Sequence, residues 1–97
     1  MEQLEFCFTG KRTIKQKSHV GVVGSGNLEV LFEPTNEETS KVLVTTKFDG
    51  NGPIWEAILQ RFFEQTQCLA TIEINDFGAT PGVANLRLLQ GLEVSMR

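Results

Sequence analysis

"DGNGPIWEAILQRFFEQ", residues 49–65, is where the chain changes rhythm. Ile54, Trp55, Ile58, Leu59, Phe62 and Phe63 recur in i, i+1, i+4 steps, which at roughly 100° per residue gathers them on one side of a helix. Glu56, Gln60 and Glu64 take the other side. Pro53 suits the first helical position, where its missing N–H has no partner to lose, and Asp49 to Gly52 supply turn and cap chemistry ahead of it. The spacing predicts a helix over 53–66. An aromatic stripe this broad reads as the lid of a core, not as a cofactor box.

On both sides of that helix the period is two. Leu4, Phe6 and Phe8 alternate with Glu5 and Cys7 until Gly10. From Thr13 the parity continues, with Ile14, Val20 and Val22 expected inward and Lys15, Lys17 and His19 outward. Leu28, Val30 and Phe32 form a third run, closed by Pro34, which can donate no ladder hydrogen bond. After the polar "PTNEETSK", residues 41–48 give a fourth strand with Val42, Val44 and Phe48 of one parity. Beyond the helix, Ala70, Ile72 and Ile74 alternate with Thr71 and Glu73. Past the turn-rich "DFGATPG" (76–82), "VANLRLLQGLEV" (83–94) sets Ala84, Leu86 and Leu88 against Asn85 and Arg87 and is expected to be a last strand. The fold expected is therefore α+β: a mainly antiparallel sheet of about six strands with one helix packed on one face. No repeat or linker divides the chain, so residues 1–97 are expected to be one domain.

Composition narrows the function classes. The chain is 40% hydrophobic and 22% charged, with no run near the roughly 18 apolar residues that span a bilayer. Its start, Met-Glu-Gln-Leu-Glu, lacks the basic-then-apolar order of a signal peptide, so the expected location is the cytoplasm, with no membrane association. A net charge of −3 is not the footprint of a nucleic-acid binder. Lys11, Arg12, Lys15 and Lys17 form a local exception, read either as a solvated face that resists edge pairing or as cations that hold an anionic group. Cys7 and Cys68, far apart and without metal-motif spacing, are expected to be reduced thiols.

The catalytic inventory is thin. One histidine and two cysteines make no zinc motif. His19 and Ser25 stand six residues apart, about 20 Å along an extended strand, too far for direct contact of nucleophile and base. Gly24-Ser25-Gly26 is followed by a strand rather than the helix of a hydrolase elbow, and Asp76-Phe77-Gly78 matches the kinase tripeptide by letters alone. Ser25 is left as a hydroxyl in a tight connection. It is either plain hairpin chemistry, with Gly24, Gly26 and Asn27 tolerating positive φ, or an attachment point that flanking glycines keep clear for a bulky donor.

"VGVVGSGNLEVLFEP" (20–34), "WEAILQRFF" (55–63) and "TIEINDFGATPGVANLRLLQG" (71–91) together resemble the acyl-carrier (delta) subunits of malonate decarboxylases, over nearly the whole chain. The resemblance implies a non-catalytic cytoplasmic carrier whose Ser25 is joined by a phosphodiester to a phosphoribosyl-dephospho-CoA group. The thiol of that arm would hold acetyl, exchanged for malonyl by a transferase subunit and returned to acetyl by two decarboxylase subunits as carbon dioxide leaves. A prosthetic-group transferase is the further partner implied. No metal is implied, and no catalytic residue in the carrier. Asn27 departs from the aspartate that follows Gly-Ser-Gly in the family pattern, which removes a charge beside the attachment site. The alternatives are the carrier subunit of citrate lyase, which uses the same group, and an unmodified protein-interaction module. "DFGATPG" is expected to be an exposed loop that touches a partner.

Overall fold

The computed structural model describes residues 1–97. Along the chain lie β1 (Glu2–Thr9), β2 (Arg12–Thr13), β3 (Ser18–Gly21), β4 (Leu28–Glu33), β5 (Thr39–Thr46), α1 (Gly52–Thr66), β6 (Cys68–Leu69), β7 (Thr71–Asp76) and α2 (Pro81–Ser95). The main sheet has the order β1-β5-β7-β4-β3, and β2 and β6 form a parallel two-residue pair beside it. The class is α+β, but two details differ from the sequence expectation. The sheet is mainly antiparallel as expected but has five strands and one parallel pairing, β5 with β7, and there are two helices instead of one.

The parallel pair follows from α1. A strand, a crossing helix and a return strand bring β7 back beside β5 in the same direction, with Val42 opposite Ile72 and Val44 opposite Ile74. The other three pairings in this sheet are antiparallel. Alternation places Leu4, Phe6 and Phe8 of β1, Val42 and Val44 of β5, Ile72 and Ile74 of β7, and Leu28, Val30 and Phe32 of β4 toward one side. Trp55, Leu59, Phe62 and Phe63 of α1 close over that side, with Phe63 stacked on Phe8 at 4.6 Å between ring centroids. The expected start at Pro53 moves one residue, to Gly52, and Gln67 ends the helix at φ 55 with its N–H bonded to Phe63 O.

The second helix is the main correction. Residues 83–94 were expected to alternate as a strand, yet Ala84, Leu88, Gly91, Leu92 and Ser95 are the buried positions of α2, at helical spacing. Thr80 caps it by accepting a hydrogen bond from Val83 N at 3.3 Å, and Pro81 occupies the first turn. Leu86 and Leu89 face solvent, and their apolar side chains blurred the period. What decides the matter is burial: α1 packs nearest β1 while α2 lies over β3 and β4, and burying Leu88 and Leu92 there is worth roughly 1.5–3 kcal/mol each, more than any local propensity. Gly91, a weak helix former, lets the helix come close, since a Cβ there would lie 2.7 Å from Phe32 Cδ1. Ser18 Oγ donates to Gly91 O at 2.7 Å from the neighbouring strand.

Two smaller corrections concern strand ends. Val22 was expected inward, but β3 stops at Gly21, whose φ of +85 turns the chain off the sheet and leaves Val22 exposed. Phe48 likewise falls beyond β5 and is about half exposed, and Thr46 is the last inward residue of that strand. The opposite face of the sheet carries Glu5, Leu43, Glu73, Leu31 and His19 in one cross-strand row and has no helix over it.

Candidate functional site

The sheet has two poles. At one lie the start of β1, the end of β3, the start of β4, the ends of β5 and β7, and the first turns of both helices; at the other lie the reverse ends and the β2–β6 pair. Ser25 is exposed at the first pole, in the connection between β3 and β4. Asn27 N donates to Gly24 O at 3.0 Å, closing a four-residue turn around Ser25, and Gly26 at its third position has φ +75, the type II signature. Open space surrounds it. A Cβ at Gly26 would meet nothing within 4 Å, and one at Gly24 would touch only Val22 Cγ2, at 4.0 Å.

That turn is fixed in place by the segment read as a partner loop. Gly26 N donates to Phe77 O, and Phe77 N donates to Asn27 O, both at 2.9 Å, so Phe77 extends the β4–β7 ladder under the turn. Asp76 holds Phe77 in turn. Its buried carboxylate accepts from Thr46 Oγ1 at 3.0 Å, Gly78 N at 3.1 Å and Ala79 N at 3.0 Å. The loop expected to be exposed is so only in part: Asp76 is buried, Phe77 to Ala79 are half-buried, and Thr80 to Gly82 are exposed. From α2, Arg87 Nε donates to Asn27 Oδ1 at 3.4 Å, and Asn27 Oδ1 also accepts from Leu28 N at 2.8 Å. Asp76, Phe77 and Arg87 are the site residues that sequence reasoning missed. An Asp-x-Gly turn, with its aspartate four residues ahead of the Thr80-Pro81 helix start, was the available signal.

The other candidates are scattered. His19 Nε2 lies 2.8 Å from Glu29 Oε2 on the open face, and Asn75 Nδ2 donates to Glu29 Oε1 at 2.7 Å. Cys7 is exposed on β1, at the sheet edge opposite the β3 that carries His19, while Cys68 is fully buried. Burial pushes the Cys68 thiol up from 9.0 to about 11, against the charge of Arg12. Lys11, Arg12, Lys15 and Lys17 all precede β3 and so lie at the pole away from Ser25, with Lys15 N bonded to Ser95 O at the end of α2. No helix is long and apolar enough to cross a membrane.

Fold and site together describe a small α+β body that holds one hydroxyl out on a braced glycine turn. Residues 15–95 match the family model "Malonate decarboxylase delta subunit (MdcD)". The malonate decarboxylase acyl carrier protein of Stutzerimonas stutzeri (strain A1501) is 48% identical over 94 residues, covering 96% of this chain and 95% of that one. That of Pseudomonas fluorescens (strain SBW25) is 47% identical with the same coverage. A chain in the crystal structure of a Pseudomonas malonate decarboxylase hetero-tetramer in complex with malonate superposes with a TM-score of 0.91 at 43% identity, over 97% of this chain and 98% of that one. The chain belongs to the malonate decarboxylase delta-subunit family, the acyl carriers of that complex.

Proposed function

We propose that this chain is the non-catalytic acyl-carrier subunit of a malonate decarboxylase complex and that Ser25 is where a phosphoribosyl-dephospho-CoA arm is attached through a phosphodiester. The observation that carries the reading is the open space around Ser25 on a turn whose backbone is pinned by two hydrogen bonds to Phe77. Rigidity and access serve different parts of the task. A nucleotide-sized donor needs room at the oxygen, and the enzyme that brings it needs that oxygen at a fixed place. Gly24 and Gly26 give the room, and the Phe77 hydrogen bonds with the Asp76 turn give the fixed place.

The arm, when attached, supplies a thiol that carries acetyl or malonyl as a thioester. This chain's own residues present the attachment oxygen and keep the stem of the arm clear of the core. Acyl exchange belongs to a transferase partner, decarboxylation of malonate to acetate and carbon dioxide to two further subunits, and attachment to a prosthetic-group transferase. Co-expression with the enzymes that make and transfer the group, followed by intact mass, tests the reading. The expected result is one adduct on the wild type and none on Ser25→Ala. A wild-type chain without an adduct, or an adduct that survives the substitution, overturns it.

A further inference from the structure

Exposed large hydrophobic side chains are unevenly placed. Met1, Val22, Val23, Phe48 and Ile54 are at the Ser25 pole and Leu86 and Leu89 are along α2, while the opposite pole has none. Val22 and Val23 are 60% and 56% exposed, and Phe48 is 48% exposed. None of the three is needed by the core, because Gly21 has already turned the chain off the sheet before Val22, and β5 ends before Phe48. Exposed apolar side chains at one pole, here Val22 and Val23 with Phe48 beside the polar Lys47 and Asp49, mark a surface that another molecule covers.

Resting on the Ser25 reading, we infer that Val22, Val23 and Phe48 form the docking surface for the enzyme that attaches the arm, whose active-site mouth has an apolar lip. The geometry selects that occupant. Val23 is two residues from Ser25, at most about 7 Å along the chain, so a pocket that closes on the Ser25 oxygen must also cover Val23. Phe48 flanks the turn from the other strand connection: a Cβ on Gly78 would lie 3.2 Å from Phe48 Cε2 and 3.8 Å from Gly26 N, so the ring and the turn border the same point. Valine also suits docking, since its single stiff χ1 leaves little side-chain freedom to lose on association.

The test uses the full unmodified chain as the varied substrate of the prosthetic-group transferase, followed by intact mass, with direct binding of the two proteins measured by fluorescence anisotropy. V22S/V23S and Phe48→Ser are expected to raise KM and Kd about tenfold or more with kcat within about twofold, and Leu89→Ser, exposed on α2, to change neither. Val23→Thr, which keeps shape and branching, is expected to show a smaller rise, and thermal melts establish that all variants are folded. KM and Kd unchanged in V22S/V23S, with the wild type modified normally, overturn the docking surface and leave the Ser25 reading intact. A wild type that takes no adduct overturns the Ser25 reading itself. A wild-type dimer in sedimentation that V22S/V23S dissolves while KM stays unchanged assigns the patch to a second copy of the chain and also overturns the inference.

Discussion

The two poles of the sheet are built from the same strands and differ in almost everything else. At the Ser25 pole, positive-φ glycines and an aspartate turn hold a hydroxyl out among exposed valines. At the other pole, Gly10 is jammed against Cys68 O, Cys68 is sealed, and four cations stand outside. The difference teaches that two glycines, Gly26 in the Ser25 turn and Gly10 at the other end, mean opposite things. Gly26 leaves space, whereas Gly10 permits a contact. One pole is arranged for access and the other for closure.

That contrast can be broken in steps, from the largest effect down. Ser25→Ala should abolish the adduct in intact mass while shifting stability by no more than about 0.5 kcal/mol in a urea melt, since the residue is exposed. Asp76→Ala strips acceptors from Thr46 Oγ1, Gly78 N and Ala79 N together, and is expected to cost about 3–5 kcal/mol and to slow attachment at Ser25. Both are read from one set of samples by denaturation and by mass. An undisturbed melt would mean that the turn has another brace.

Gly10→Ala should cost about 3 kcal/mol, because backbone stands where the methyl must go, and Gly26→Ala only about 1 kcal/mol, for its φ of +75 in open space. Equal costs would erase the contrast between the poles. Cys68 sharpens it through pH. Its thiol is raised in the folded state from 9.0 to about 11, so the folded chain keeps a proton that the unfolded chain gives up in that interval. The stability associated with the neutral thiol is intact below pH 9, declines as pH rises and is lost above about 11, on the order of a few kcal/mol at most. Urea melts across this range should show the decline in the wild type and not in Cys68→Ala.

The smallest expected effect is none. Neutralising Lys11, Arg12, Lys15 and Lys17 together should leave the rate of attachment at Ser25 within about twofold, because these residues stand at the far pole. A marked, salt-dependent loss would restore the reading in which they hold the anionic arm.

Legibility followed the same division. The strands that line the core were readable because a period of two survives wherever one face is buried, as Leu28, Val30 and Phe32 show. The α1 helix was readable because Pro53 and a broad aromatic face point the same way. The α2 helix was not, since Leu86 and Leu89 spoil its apolar stripe and Ala84, Leu86 and Leu88 happen to alternate. Ser25 stood out by its glycines; the Asp76 turn carried a local signal but not that it braces Ser25, and Arg87, far away in sequence, carried none.

What the sequence determined by itself was the apolar alternation of the strands that line the core, the first helix, and the isolation of Ser25 between residues without obstructing side chains, because periodicity and glycine chemistry are local. Tertiary structure alone decided that residues 81–95 coil into a second helix, that β5 and β7 run parallel, and that the basic segment stands away from Ser25. Those outcomes depend on which apolar face remains uncovered once the strands have paired, and that is a property of the assembled sheet, not of any one segment.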